Sequence, residues 1–356
     1  MRVLFITRKF PPSVGGMETW SKELHAAMCA LDADIALHKP ASDHIGRPSL
    51  WQMAVFFVSA AWTLVRHGRR YDAVLLGDFA LATVAIVAKV ASFGRLRTVV
   101  ALHGNDLYFL RKRGAVPMLY RALCRLVAAS GALDATIANS RAIRDEALRH
   151  HLPDPVVIPL ATIAPPDPAM HAGPRTRRLV FAGRLIRYKG LSWFVRNVWP
   201  HVDPSVDLVV AGGVWDEDER ACMDGVPRIE YLGVMPYAEL PALRATAMAC
   251  IMPNVPPTAT EQDEGFGLVA LEGPAVGTPT IASACGGIPD AIVDGVTGFL
   301  LPPLDAQAWV DRIHDVMRWS DAARDEFARR ARAHVIAHFN WERVARQTLA
   351  VLGATT

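Results

Sequence analysis

Two textures alternate along this chain. Short apolar or β-branched runs are separated by longer stretches whose apolar positions recur three and four residues apart. The runs read as strands buried on both faces and the longer stretches as helices laid over them, so the alternation predicts parallel sheets covered by helices. The first half predicts strands at RVLFIT (2–7), ADIALH (33–38), DAVLLG (72–77), TVVALH (98–103), ATIANS (135–140) and VVIPL (156–160). After LATIAPPDPAMHAGPRT the pattern restarts with RLVFAG (178–183), DLVVAGG (207–213), IEYLGV (229–234), ACIMP (249–253), PTIASA (279–284) and TGFLLP (297–302). A linker is expected at 161–177, between two doubly wound α/β domains. Helices from 305 to 338 close the second domain, and a final helix after FNWERVA is left over.

Two segments stand apart. LWQMAVFFVSAAWTLV (50–65), ending in RHGRR, is the most apolar, yet at roughly 16 residues it is short of the ~20 that a spanning helix needs. It reads as a helix buried between sheet and neighbours, or as an interfacial membrane contact. RKRGAVPMLYRALCRLVAA (111–129) sets Arg111, Lys112, Arg113, Arg121 and Arg125 beside an apolar stripe. It is either a solvated basic face or one that meets lipid headgroups.

Length and charge sharpen this. The 356 residues favour two domains over one core. The net charge of +3 conceals an imbalance, because residues 1–165 carry 20 Lys and Arg against 12 Asp and Glu, and residues 166–356 carry 18 against 23. A basic half suits an anionic partner, either lipid headgroups or a phosphate-bearing substrate, and no motif points to nucleic acid. The five cysteines are scattered, with no C-x-x-C pair, and read as reduced core thiols of a cytosolic protein. MRVLFITRKF has no cleavage signature and reads as a first strand, not a signal peptide.

Four loops fall at the carboxyl ends of expected strands, where ligands bind in such sheets. KFPPSVGGMET (9–19) places Gly15 and Gly16 at a strand-to-helix turn, open to an anion or purely structural, and does not match G-x-G-x-x-G. HGND (103–106) offers His103 as a hydrogen-bond partner, an acid or a base, or as a residue that only satisfies local backbone. GRLIRYKG (183–190) brackets a helix start with Arg184 and Lys189, so both cations could converge on phosphate oxygens at that helix end. EGFGLVALE (264–272) holds Glu264 and Glu272 around a glycine turn whose amides suit an anion. At about 1.5 Å per helical residue the two carboxylates would lie roughly 12 Å apart, beyond the about 5 to 9.5 Å of paired glycosidase carboxylates. They would touch opposite ends of one extended ligand, or face solvent. Glu261, Asp263 and Glu264 crowd together, which should raise at least one pKa. Asp32/Asp34 and Asp216/Asp218 form Asp-x-Asp patterns, but one precedes a strand and the other suits a helix's first turn, so no metal site is expected.

Taken in order, KFPPSVGGME, HGND, ANSRA (138–142), GRLIRYKG, EGFGLVALE, GGIPD (286–290), DGVTGFLLPP (294–303) and FNWERVA resemble family 4 glycosyltransferases, retaining enzymes of the GT-B fold that use nucleotide sugars. The resemblance implies two Rossmann-like domains facing a central cleft: residues 1–165 on the acceptor side, 166–338 binding the donor, and 339–356 a helix crossing back to the first. It implies that Arg184 and Lys189 hold the donor diphosphate, Glu272 the ribose hydroxyls and Glu264 the donor sugar. Phe266, Gly267 and Leu268 would sit by the sugar and distal phosphate, Gly16 near the diphosphate and acceptor, His103 beside the sugar, and Val234 and Met235 against the base. Arg111, Lys112 and Arg113 are expected on the acceptor or membrane side. One departure is that the chain reads ATIAPPD where many members carry Asn-Gly-Val-Asp.

The expected activity is metal-independent, cofactor-free transfer of a hexose from a GDP- or UDP-sugar to a glycan acceptor such as a lipid-linked polysaccharide precursor. It would occur in the cytoplasm, with peripheral contact at the inner face of the cell membrane. A sugar phosphorylase of the same fold and a non-catalytic nucleotide-sugar-binding partner subunit are the rivals. An oxidoreductase is disfavoured by the missing dinucleotide fingerprint.

Overall fold

The computed structural model describes residues 1–12, 15–40, 49–165, 175–257 and 262–353. All twelve apolar runs form strands. They are β1 (Arg2–Ile6), β2 (Asp34–His38), β3 (Ala73–Leu76), β4 (Arg97–Leu102), β5 (Ala135–Ala138), β6 (Val156–Val157), β7 (Arg178–Ala182), β8 (Asp207–Ala211), β9 (Ile229–Gly233), β10 (Ala249–Met252), β11 (Thr280–Ser283) and β12 (Gly298–Leu301). They make two six-stranded sheets, ordered β2-β1-β3-β4-β5-β6 and β12-β11-β10-β7-β8-β9, with every pairing between strands parallel. Helices cover both faces of each sheet, which is why central strands such as β3 and β10 are buried at every position.

The chain divides into two compact units. The first is Met1–Leu160 with Ala259–Gly265 and Trp341–Thr356, and the second is Ala161–Thr258 with Phe266–Asn340. In the first unit one sheet face, carrying Leu4, Ile6, Val74, Leu76, Val100 and Leu102, packs under the helices Leu50–His67, Ala82–Ala91 and Ala115–Ala129. The opposite face carries Phe5, edge-on to Trp20 at 5.7 Å, under the helix Gly16–Ala30. The last helix, Trp341–Leu352, lies beside Gly16–Ala30 and is pinned where Arg343 donates to the Pro159 carbonyl and Arg97 to the Val351 carbonyl.

The apolar segment 50–65 is a helix closed by a Ser49–Gln52 capping box. It is not buried all round. Phe56, Ala60 and Leu64 face the core, while Trp51, Val58, Trp62 and Val65 are exposed. No described helix is long and apolar enough to cross a membrane. The cysteines are likewise mixed: Cys124 and Cys250 are buried, but Cys29 is exposed and not a core thiol.

The second unit has the strand order 3-2-1-4-5-6 when counted from β7, so adjacent connections leave the sheet in opposite directions at the β7/β10 boundary. In the first unit the reversal falls between β1 and β3. Each boundary opens a crevice at the carboxyl ends of its strands.

Candidate active site

In the second unit the crevice is walled by the loops after β7 and β10. Gly190, at φ +71°, lets the first loop lie directly on the second, since a Cβ there would sit 2.0 Å from the Pro253 carbonyl oxygen. Val255 donates to the Tyr188 carbonyl at 3.1 Å, joining the two loops again. Arg184 and Lys189 therefore stand on a shared platform. Arg184 donates to the Tyr188 hydroxyl at 3.1 Å and lies over the Trp215 ring at 4.9 Å, while the Lys189 ammonium is 5.7 Å from the Tyr188 ring centre.

At the start of the helix that follows, one amide is already engaged from within the unit. The buried Glu219 carboxylate accepts from the Ser192 amide at 2.9 Å and from its hydroxyl at 2.5 Å, placing an acid at the start of the helix Leu191–Asn197.

The glycine turn after β10 has Gly267 at φ +87° and leads into the helix Val269–Ala275. Helical rise thus applies only from Val269 onward, so the 12 Å reasoning, which ran a helix back to Glu264, does not hold. Glu272 sits in the helix's first turn, where it accepts from the Tyr237 hydroxyl at 3.2 Å and pairs with Arg244, itself only 2 % exposed. An acceptor-only carboxylate held from behind in this way still has lone pairs for hydroxyl donors. Phe266 is buried, Val234 is 78 % exposed and Met235 half-buried, beyond β9.

In the first unit, Gly265, next to Glu264, is anchored by the HGND and ANSRA loops. The Ser140 hydroxyl donates to the Gly265 carbonyl at 2.6 Å, and a Cβ on Gly265 would meet the His103 carbonyl at 2.4 Å. Asp106 ties the HGND turn together, accepting from Phe79 at 3.0 Å, Gly104 at 2.9 Å and Leu107 at 3.1 Å. His103 Nε2 donates to the Gly77 carbonyl at 3.0 Å and the ring meets Trp20 edge-on at 4.4 Å. Burial holds the imidazole below its ordinary range, against the pull of Asp106, Asp78 and Glu18. With Nε2–H committed, the neutral ring presents Nδ1 as an acceptor.

The β1/β3 crevice holds further groups that sequence reasoning passed over. Arg8 donates to Asp78 at 2.8 and 3.0 Å, and Lys9 pairs with Glu18 at 3.1 Å behind Gly16, the first residue of its helix. Only the proximity of both pairs to strand ends could have flagged them. Beside them, a cavity of about 330 Å³ is lined by Lys39, Trp51, Met53, Phe56 and Phe57.

Burial, more than the neighbouring Glu264, raises the Asp263 carboxyl, and Glu261 lies outside the described residues. Arg111 is not a free surface cation. It grips Glu146 at 2.6 and 2.8 Å, and Arg121 donates to the Leu110 and Lys112 carbonyls, leaving Lys112, Arg113 and Arg125 exposed. Burial alone would raise the Glu146 carboxyl, but Arg111, His150 and Arg149 outweigh it and hold it well below the usual range. Asp216 caps the helix Glu217–Ala221 and Asp34 pairs with Arg2 at 2.7 Å. Among the described residues no three His, Cys, Asp or Glu side chains are grouped to hold a metal ion.

Residues 176–318 match the family described as Glycosyl transferases group 1. A D-inositol 3-phosphate glycosyltransferase of Mycolicibacterium paratuberculosis (strain ATCC BAA-968 / K-10) is 37 % identical over 154 residues, 41 % of this chain and 34 % of that protein. The chain thus spans about a third of the length of that relative. Among solved structures, sucrose-phosphate synthase (tll1590) from Thermosynechococcus elongatus superposes with a TM-score of 0.76 at 20 % identity, over 99 % of this chain and 98 % of that one. Anabaena Alr3699/HepE in complex with UDP superposes with a TM-score of 0.71 at 19 % identity, over the whole of both chains. The shared fold is GT-B.

Proposed function

We propose, from the match of residues 176–318 to the group 1 glycosyltransferases, that this protein moves a hexose from a nucleotide diphosphate sugar to a glycan acceptor with retention at the anomeric carbon. The observation that carries the reading is the pair of loops locked together at the β7/β10 crevice, one bearing Arg184 and Lys189 and the other the glycine turn and Glu272.

Breaking the bond between sugar and phosphate loads negative charge onto the departing diphosphate. Arg184 and Lys189, already positioned, stabilise that charge with no need for a metal ion. With the Ser192 amide taken by Glu219, the two side chains and the amides of Phe266, Gly267 and Leu268 carry most of the phosphate contacts. Glu272, oriented by Arg244 and Tyr237, accepts from the ribose hydroxyls, and Val234 and Met235 border the base. Glu264 and the Nδ1 lone pair of His103 accept from sugar hydroxyls. Gly16 borders the diphosphate and acceptor. In retention the acceptor attacks from the face that the diphosphate leaves, and a phosphate oxygen takes the acceptor's proton.

UDP is the favoured nucleotide because Anabaena Alr3699/HepE, of the same fold, holds it; GDP is the alternative. The acceptor is read as a lipid-linked, phosphate-bearing glycan precursor, with the cavity bordered by Lys39 and Trp51 as its seat. A thermal-shift and hydrolysis screen against UDP-, GDP- and ADP-sugars tests the donor. Lys189→Ala and Glu264→Ala should each lower turnover by at least about 10²-fold, the scale of one lost transition-state stabiliser. Near-normal rates in both variants remove the assignment, and activity that requires inorganic phosphate but no nucleotide identifies a phosphorylase instead.

A further inference from the structure

We propose that the outer surface of the helix layer of the first unit docks on an anionic lipid bilayer. The helix Leu50–His67 buries Phe56, Ala60 and Leu64 against the sheet. Its opposite side, where a surface helix ordinarily turns polar, carries Trp51, Val55, Val58, Trp62 and Val65, at 77, 49, 69, 62 and 61 % exposure. Their spacing of four, three, four and three residues is one continuous stripe.

The helix Ala115–Ala129 repeats the arrangement. Cys124 and Val127 point into the same core, and Val116, Leu119, Leu123 and Leu126 point out. Both helices pack on the same sheet face, on either side of Ala82–Ala91, beyond whose end Phe93 is 79 % exposed. The two stripes therefore look out from one side of the unit. An exposed apolar surface of this extent marks an interaction site.

Charge selects the partner. No Asp or Glu occurs in residues 49–71 or 107–133. Arg66, Arg69, Arg70, Lys112, Arg113 and Arg125 are all exposed there, and Arg69 stacks on the Phe93 ring at 4.7 Å. A surface that is apolar along its ridges, rimmed by cations and lacking carboxylates on its helices complements anionic headgroups above acyl chains. Trp51 and Trp62 suit the headgroup level, where an indole is apolar and hydrogen-bonding at once. A second copy of the chain would set like charges against each other. Since no described helix can span a bilayer, the contact lies in the interface. Trp51 and Val55 also line the 330 Å³ cavity, so docking brings its wall to the lipid.

Flotation of the full chain with vesicles of phosphatidylcholine alone and of phosphatidylcholine with phosphatidylglycerol tests the proposal, with neither donor nor acceptor present, so failure here leaves the glycosyl-transfer reading standing. Expected is binding to the anionic vesicles only. Trp62→Glu with Leu119→Glu should weaken it by more than tenfold, as should Arg69→Glu with Arg70→Glu. All four side chains are exposed, and unchanged melting curves certify the fold. Should either pair unfold the protein, Val58→Ser with Leu126→Ser replaces it. No binding to anionic vesicles at low salt overturns the proposal. So does binding that neither pair of variants weakens, or a concentration-dependent dimer that the apolar variants dissolve without any lipid binding.

Discussion

Gly190→Ala tests whether the two loops at the β7/β10 crevice act as one platform. Two costs follow. The residue sits at φ +71°, so alanine there costs about 1–2 kcal/mol of left-handed strain. The new methyl would also lie 2.0 Å from the Pro253 carbonyl oxygen, where contacts below 3.0 Å are essentially never seen, so one loop must retreat by about 1 Å. A displacement of that size at a positioned site costs on the order of 10²-fold in rate. Gly225→Ala separates the two effects, because Gly225 has φ +72° but nothing within 4 Å of the added carbon. It should lose about 1 kcal/mol of stability and no activity. Initial rates across donor concentration, alongside melting curves, read both quantities. Gly190→Ala with wild-type kcat/KM, or Gly225→Ala with an equal loss, refutes the shared-platform reasoning.

Three further outcomes follow from the buried charges. Arg244→Met leaves the Glu272 carboxylate unpaired and should cost about 3–5 kcal/mol, with most of it restored by adding Glu272→Gln; denaturant titration of the second unit's signal reads the cycle, and a single-variant loss below about 0.5 kcal/mol removes the pair's structural role. Arg111→Met should lower stability by about 2 kcal/mol, the value of hydrogen bonds to a charged group, yet leave vesicle binding unchanged because Arg111 is spent on Glu146; weakened flotation would return it to the docking surface. The lowered pKa of His103 means that the unfolded chain takes up the proton first as pH falls. Its contribution to stability is complete above the unfolded value of about 6.5 and is lost as pH drops from there through the folded value, so His103→Gln should flatten the acid limb of a melting-temperature profile, and an unaltered limb rejects the assignment.

What could be read from sequence follows what is local. The twelve strands were legible because runs such as AVLL and ACIM are apolar at every position, as strands covered on both faces must be. The loops at their ends were legible for the same reason, since glycines and charges follow directly on the runs. Pairings between distant loops were not. Glu219, next to the Asp216/Asp218 pattern, lies 27 residues from the Ser192 it caps, and Arg111 finds Glu146 across 35 residues. Nothing in either segment's periodicity announces the other, because the sheet order decides which loops meet. The outward stripe of the helix Leu50–His67 was ambiguous for a third reason. A helix apolar on all sides has no polar face to reveal which side the core takes.

The Glu219 carboxylate bears on how the proposed transferase would let go of its product. Had Glu219 not placed its charge at the start of the helix Leu191–Asn197, a spent nucleoside diphosphate there would be gripped by a fixed dipole that cannot turn away. With the Ser192 amide and hydroxyl already bonded to a carboxylate from within, the grip rests more on Arg184 and Lys189, flexible side chains whose hold dissolved ions compete for. Product release should quicken and product inhibition weaken as ionic strength rises, so that turnover answers to the salt around the protein as well as to its substrates.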